Sequence, residues 1–278
     1  MVRLWTWDAR RMIMSEVFGI DVSHHNGHID WQAVARDGKK FVILKCQYEA
    51  QSHRKDEMFE YNYAEAGKNG LARGVYIYIA RASMADPVGD ARALLNHLQG
   101  RKLEYGIWLD LEDKTVDVKG KAYIRDLAYI YADIFRQAGY FVGIYCNRDW
   151  YLRLIHEDLK RDFDIWMARY PKNDTGTYNK TSSLKPSAQI AVAWQYSSKG
   201  NVPGIKTRCD LDVDYDGVVN LIASSPYRKS VDEIAREVLE DKWGTKNTKP
   251  TRKDLLTMAG YNYDEVQKRV NELKGGKI

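Results

Sequence analysis

Eight short apolar segments, rich in β-branched and aromatic residues, recur along the first four fifths of this chain and limit it to very few folds. They are Val17–Val22, Lys40–Gln47, Gly74–Ile79, Gly106–Glu112, Phe141–Cys146, Phe163–Ala168, Ile190–Gln195 and Cys209–Asp214. Stretches with a helical apolar period lie between the first five, at Asp30–Asp37, Asp56–Asn69, Asp86–Leu98 and Lys121–Ala138, and Trp150–Leu159 forms a weaker fifth. Strand alternating with helix implies parallel strands joined by right-handed crossovers, and eight such strands suit closure into a barrel. The pattern changes after the sixth segment. Tyr170–Ala188 is polar and rich in Pro, Gly, Ser, Thr and Asn, and the Gly/Pro-marked link from Gln195 to Cys209 is too short for a crossover helix. The expectation is therefore an α/β fold: an irregular (β/α) barrel of eight strands and about five helices, its last three strands joined by loops or hairpins.

A second unit follows. Ser224-Ser225-Pro226-Tyr227-Arg228 interrupts the pattern, and Ser230 with Glu233 reads as a capping box for an apolar stripe of Val231, Ile234, Ala235 and Val238. Lys242-Trp243-Gly244 closes that helix, Thr251–Met258 is a second, and Tyr263–Leu273 a third. The expected division is an N-terminal extension at 1–15, the barrel at 16–224, a linker at 225–229 and a small three-helix bundle at 230–278.

Composition narrows the partners. A net charge of +5 with both signs interspersed suits an anionic polymer but is too dispersed to indicate nucleic acid. Cys46, Cys146 and Cys209 are odd in number and far apart, which fits buried thiols and not a disulfide framework or a zinc site. No apolar run approaches a membrane span, and Met1–Met14 carries charges without a continuous apolar core, so it does not read as a signal peptide; Met14 is an alternative start.

The segment Tyr105–Asp113, Y-G-I-W-L-D-L-E-D, carries the chemistry. On a strand alternate side chains share a face, so Asp110 and Glu112 point one way while Leu109 and Leu111 point toward covering helices. Two acids at the end of a buried strand are costly without a purpose. The first segment contributes Asp21 and the last Asp210 and Asp212. First and last strands adjoin in a closed barrel, so Asp21, Asp110, Glu112 and Asp210 should converge at one end, where crowding raises at least one carboxyl's proton affinity. A carboxylic acid kept protonated near neutral pH is what glycosidic cleavage requires. Taken alone, Asp21 fits a capping role equally well.

These pieces, in order from about Phe18 to Ile222, resemble the family 25 glycoside hydrolases, the lysozymes of many phage endolysins: G-I-D-V-S-H-H-N-G, F-V-I-L-K, G-V-Y-I-Y, W-L-D-L-E, G-I-Y-C-N, I-W-M-A-R-Y-P, W-Q-Y-S-S and D-L-D. The resemblance implies cleavage of the β-1,4 bond between N-acetylmuramic acid and N-acetylglucosamine in bacterial peptidoglycan. Glu112 would be the general acid, and Asp110 its partner would orient the substrate N-acetyl group or stabilise charge at the sugar. Asp21 and Asp210 would complete the acidic floor, with Tyr78, Trp166, Arg169 and Gln195 lining the sugar site; core packing serves Tyr78 and Trp166 equally well. Two departures stand out. Gln47-Tyr48-Glu49-Ala50 replaces the family's frequent T-E-G, and Asp212 stands where the family often has Asn. Residues 230–274 are similar to the CW-seven cell-wall-binding repeat, through S-V-D-E-I-A-R-E-V, K-W-G, R-K-D-L-L-T-M-A-G-Y and Y-D-E-V-Q-K-R-V-N. That implies muropeptide binding, with Trp243, Arg252 and Tyr261 as candidate contacts and core packing as the alternative for Trp243. The whole would act on the bacterial wall after release from the host cytoplasm, without a cofactor, metal, nucleic acid or membrane insertion.

Competing readings are less well served. A calcium loop beginning at Asp212 has Ala223 where Glu is required. His24, His25 and His28 lack a standard zinc spacing. A chitinase motif with its acid at Glu112 would need acids at Tyr105 and Trp108. A catalytically inactive wall-binding protein and an N-acetylglucosaminidase remain open. The Cα atoms of Asp110 and Glu112 should lie about 6.6 Å apart, a spacing that leaves retention, inversion and attack by the substrate's own N-acetyl oxygen all open.

Overall fold

The computed structural model describes residues 16–48, 53–215, 231–245, 247–248, 250–258 and 261–275. The expected extension at 1–15, the linker at 225–229, Glu49 and the capping Ser230 lie outside the described residues.

Eight strands close into a barrel in sequence order: β1 Val17–Val22, β2 Phe41–Lys45, β3 Ala72–Tyr78, β4 Gly106–Asp110, β5 Val142–Asn147, β6 Ile165–Ala168, β7 Ala193–Gly200 and β8 Cys209–Asp214. Strands β1 to β7 pair parallel, whereas β8 runs antiparallel to both β7 and β1. The first five crossovers are helical. They contain α1 Trp31–Arg36, α2 Phe59–Lys68, α3 Arg81–Ala85 with α4 Pro87–Leu98, α5 Lys114–Asp117 with α6 Gly120–Gln137, and α7 Arg148–Arg153 with α8 Glu157–Asp162. The helices expected at Asp86–Leu98 and Lys121–Ala138 are present, each preceded by an additional short helix, and the stretch Trp150–Leu159 is split in two. That split follows from Leu154 and Ile155, which turn inward, and from His156, whose Nδ1 accepts from the amide of Asp158 and starts a new helix. Asp30 caps α1 through the amides of Gln32 and Ala33, and Asn147, the last residue of β5, caps α7 through that of Trp150, so β5 hands over directly to its helix.

Strand β7 starts later and runs further than its apolar segment. Its polar end, Ser197-Ser198-Lys199-Gly200, has no strand pattern of its own; the antiparallel ladder to β8, with register shifts after Gln195 and Ser197, recruits it.

Alternation sorts each strand. Ile20, Val42, Leu44, Val75, Ile77, Ile107, Leu109 and Ile144 face outward and pack beneath the helices, on Val34, Phe59, Leu94, Leu127 and Phe135. The inward residues form a separate aromatic core of Phe41, Tyr105, Trp108, Tyr145 and Trp166. Phe41 stacks on Tyr105 with centroids 4.3 Å apart, and Trp108 meets Tyr105, Phe141 and Trp166 at 5.7, 5.7 and 5.9 Å. This plug fills the barrel and forces the functional groups to its end. Trp108 fits because Gly143 on β5 leaves room for its ring: a methyl group there would overlap the indole carbons. Gly143→Ala is expected to cost about 1–3 kcal/mol, measurable as a lower urea midpoint; an unchanged midpoint would mean the plug relaxes freely.

The C-terminal unit contains α9 Val231–Leu239, α10 Arg252–Met258 and α11 Tyr263–Gly275. Ile234, Ala235 and Val238 of α9 are buried with Val266 and Val270 of α11, and Arg269 reaches across to Asp232 at 2.6 Å. Among the described residues no helix is long and apolar enough to cross a membrane. The three cysteines are buried free thiols.

Candidate active site

Every strand sends a side chain into one cavity of about 330 Å³ at the end of the barrel where β1–β7 finish. Asp21 comes from β1, Lys45 from β2, Tyr76 and Tyr78 from β3, Asp110 from β4 with Glu112 just beyond it, and Tyr145 from β5. Trp166 comes from β6, Tyr170 from just beyond it, Gln195 from β7 and Asp210 from β8. Asp210 reaches this end from the beginning of its strand because β8 alone runs the other way. The register sets Asp21 directly opposite Asp210, Tyr78 opposite Asp110, and Asp110 opposite Tyr145. Four acids therefore converge with one lysine among them, in a volume at the lower end of ligand pockets.

Electrostatics follow from burial. Desolvation, then the charge of Asp113, holds the Glu112 carboxyl above the ordinary carboxylate range. Burial, reinforced by Glu112 and Asp174, pushes Asp210 up to about 6. Asp21 is held well above its usual value by burial and by Asp210 and Asp212. Asp113, the remaining acid of the motif, behaves differently. It accepts from the amide and hydroxyl of Thr115 to cap α5 and from the hydroxyl of Tyr78 at 3.1 Å, and these bonds hold its carboxyl low against the opposing effect of desolvation. Glu112 is thus suited to carry a proton and Asp113 is committed to structure.

A polar frame holds the floor. Gln195 donates through Nε2 to Asp21 Oδ2 at 2.5 Å, while its Oε1 accepts from the hydroxyls of Tyr145, at 2.8 Å, and Tyr170. Trp166, almost wholly buried, donates from Nε1 to Asp212 at 2.9 Å.

Of the eight barrel residues read from sequence, seven line the cavity. Arg169 does not: its guanidinium donates to the carbonyls of Ser183 and Leu184, tying down the loop between β6 and β7. Lys45, Tyr76, Tyr145 and Tyr170 were missed. Tyr76 was legible, since it shares a strand face with Tyr78, and Lys45 and Tyr145 sit near the ends of their strands, but only the closed register shows that these ends meet. In the C-terminal unit Trp243 and Tyr261 are buried and pack edge to face at 6.0 Å, and Trp243 Nε1 donates to Glu237. This packing is the core role expected as the alternative for Trp243, and Tyr261 is its ring partner. Arg252 donates to the carbonyl of Gly244 at 3.0 and 2.8 Å.

As for metals, Asp212 and Asp214 are wholly buried inside the barrel, which removes them from any calcium loop. Among the described residues His24, Asp56 and Glu57 bring ligand-type atoms together. Asp56 is occupied there by the amides of His24 and Met58 and by His24 Nδ1 at 2.7 Å, and it serves as a tie between loops.

A closed barrel with paired acids in a cavity at one end, one of them with its proton affinity raised, is the equipment of a glycoside hydrolase. Comparison with known proteins agrees. Residues 20–205 match the sequence model of glycosyl hydrolases family 25, and residues 232–273 match the CW_7 repeat. Over 205 residues the chain is 27% identical to the autolytic lysozyme of Clostridium acetobutylicum, covering 72% of this chain and 56% of that one, so it spans little more than half of that relative's length. It is similar in structure to the modular autolysin LytC of Streptococcus pneumoniae, with a TM-score of 0.59 and 27% identity over 72% of this chain and 47% of the other. It also shares the fold of the bacterial lysozyme of Streptomyces coelicolor, with a TM-score of 0.54 and 22% identity over 74% of this chain and 98% of that one. The chain belongs to family 25 of the glycosyl hydrolases.

Proposed function

We propose that this protein is a peptidoglycan-cleaving lysozyme of the endolysin kind, an N-acetylmuramidase that hydrolyses the β-1,4 bond between N-acetylmuramic acid and N-acetylglucosamine. The observation that carries this reading is the pairing of Asp110 and Glu112 at one strand end, with the Glu112 carboxyl held above the ordinary carboxylate range and with Asp21 and Asp210, in register with each other, in the same cavity. Glu112 donates its proton to the glycosidic oxygen as the bond to C1 breaks. The substrate's N-acetyl oxygen attacks C1, Asp110 accepts a hydrogen bond from the N-acetyl N–H and steadies the charge formed there, and Glu112, now a carboxylate, removes a proton from the water that opens the intermediate. Tyr78, Trp166, Gln195, Asp21 and Asp210 shape the sugar site. Relatives described as lysozymes and an autolysin solved with a synthetic peptidoglycan ligand support the substrate class.

The division into a catalytic barrel at 16–224, a linker at 225–229 and a wall-binding module at 230–278 completes the proposal. Arg252 is the module's candidate contact. One copy gives weak attachment, since avidity grows with the number of linked sites.

The test is to incubate the full chain with purified peptidoglycan, reduce the new ends with borohydride and identify the fragments by mass spectrometry. Reduced muramic acid ends are expected. Reduced glucosamine ends would instead make it an N-acetylglucosaminidase, and wall that pellets with the protein but yields no fragments would leave a binding protein.

A further inference from the structure

Strand β8 carries an acid at each inward position, Asp210, Asp212 and Asp214. Asp210 lines the cavity. Asp212 lies one step deeper with no exposure at all, opposite Gly19 of β1 and Gln195 of β7. Since Gly19 has no side chain, the carboxyl that Asp212 faces from β1 is that of Asp21, one inward position higher. Its Oδ1 accepts from Trp166 Nε1. Its Oδ2 is buried and receives no N–H or O–H from a donor group among the described residues. A solvent-free carboxylate oxygen against a second carboxylate is among the costliest arrangements in a protein interior, unless a proton lies between them.

Gln195 offers no way out. Its Oε1 is occupied by the hydroxyls of Tyr145 and Tyr170, which fixes the amide orientation, and its Nε2 donates to Asp21. The other titratable groups around the pair are Asp210, Tyr76, Tyr105, Tyr145, Tyr170, Tyr196 and Cys209, with Lys45 lining the cavity that Asp21 also lines. Lys45 brings the one positive charge among these groups, and Asp212 Oδ2, one step deeper, receives no hydrogen bond from it.

We propose that Asp212 is a positioning residue of the cleft, holding one proton in common with Asp21 so that an acid–carboxylate hydrogen bond fixes Asp21 at the cavity floor. The inference rests on the glycosidase reading of the cleft. Burial, and then Asp210, hold the Asp212 carboxyl well above its usual range, which agrees with a retained proton. The bond has two consequences. It keeps the floor one charge less negative than its count of carboxyls. It also links Asp21 through Asp212 to the indole of Trp166, a cavity wall.

Two readouts test this on the full chain. Infrared difference spectra of the wild type against Asp212→Asn at neutral pH should contain a protonated-carboxyl C=O band that the variant lacks. On purified peptidoglycan, Asp212→Leu is expected to lose about 10- to 100-fold in kcat with KM little changed, as when a buried hydrogen bond to a charged group is removed. Asp212→Asn, which can still accept from Trp166 and donate to Asp21, should restore most of that loss. Absence of the infrared band, or an Asn variant that falls as far as the Leu variant, would overturn the proposal, and so would a Leu variant as active as wild type. The infrared result stands whether or not Asp212→Leu folds. It also separates this inference from the glycosidase reading, which fails only if the wild type releases no glycan fragments.

Discussion

Glu112→Gln should still bind purified wall and should release reducing ends about 10²- to 10⁴-fold more slowly than wild type, the range that a lost general acid costs. The substitution keeps shape and volume and removes only the transferable proton. In wild type that proton is secured by the site: burial disfavours the carboxylate, and the ionised Asp113 next to it disfavours it further. The sign is definite. A raised proton affinity keeps Glu112 in its acid form to higher pH than a solvent-exposed glutamate, so the alkaline limb of the kcat profile belongs to it, and Glu112→Gln should lack that limb in whatever activity remains. The loss should appear in kcat with KM nearly unchanged, because an amide still occupies the carboxyl's place among the sugar contacts. The pH dependence of kcat on purified peptidoglycan, with circular dichroism to show an intact barrel, checks both points. A variant retaining a tenth or more of the activity would remove Glu112 from proton transfer and turn attention to Asp210, whose carboxyl lies near 6.

The fold was legible because strand periodicity and helix caps agree along the first six strands. Asp30 and Asn147 sit where helices start, and Ile107 and Leu109 alternate with Trp108 and Asp110. The end of β7 was not legible, since Ser197 to Gly200 become strand only through the partner that β8 supplies. In the site, the acids could be found because a carboxylate on an apolar strand contradicts its surroundings. Tyr145 and Tyr170 could not: they look like ordinary core aromatics in a chain with 19 tyrosines, and only the closed register turns them toward one cavity. Trp243 and Tyr261, candidate contacts by resemblance, pack on each other, in keeping with the core role that closing an amphipathic helix suggests for Trp243. For Arg169 the sequence located the strand end correctly but gave no sign of the Ser183 and Leu184 carbonyls that draw the guanidinium away.

Trp108→Ala is the stability change with the largest expected effect, about 3–5 kcal/mol, the cost of truncating a fully buried tryptophan. Trp108 is the centre of the inner core: completely buried, flanked by Tyr105, Phe141 and Trp166, and seated over Gly143. Its Nε1 also donates to the carbonyl of Tyr105 at 2.8 Å, so the substitution leaves a cavity and takes a partner from a buried carbonyl. The surrounding rings are anchored to different strands and can collapse only partly into the space, which places the cost toward the upper part of that range. Urea denaturation should show the loss as a lower midpoint at unchanged slope. A second effect should accompany it. Trp166 loses the ring against its edge while it still donates to Asp212, so the cavity wall loosens and kcat should fall even at temperatures where the variant is fully folded. A destabilisation under about 1 kcal/mol, or full activity in the folded variant, would show that the aromatic plug and the acidic floor are independent. A fall in both would show that the packing beneath the cleft holds its acids in place.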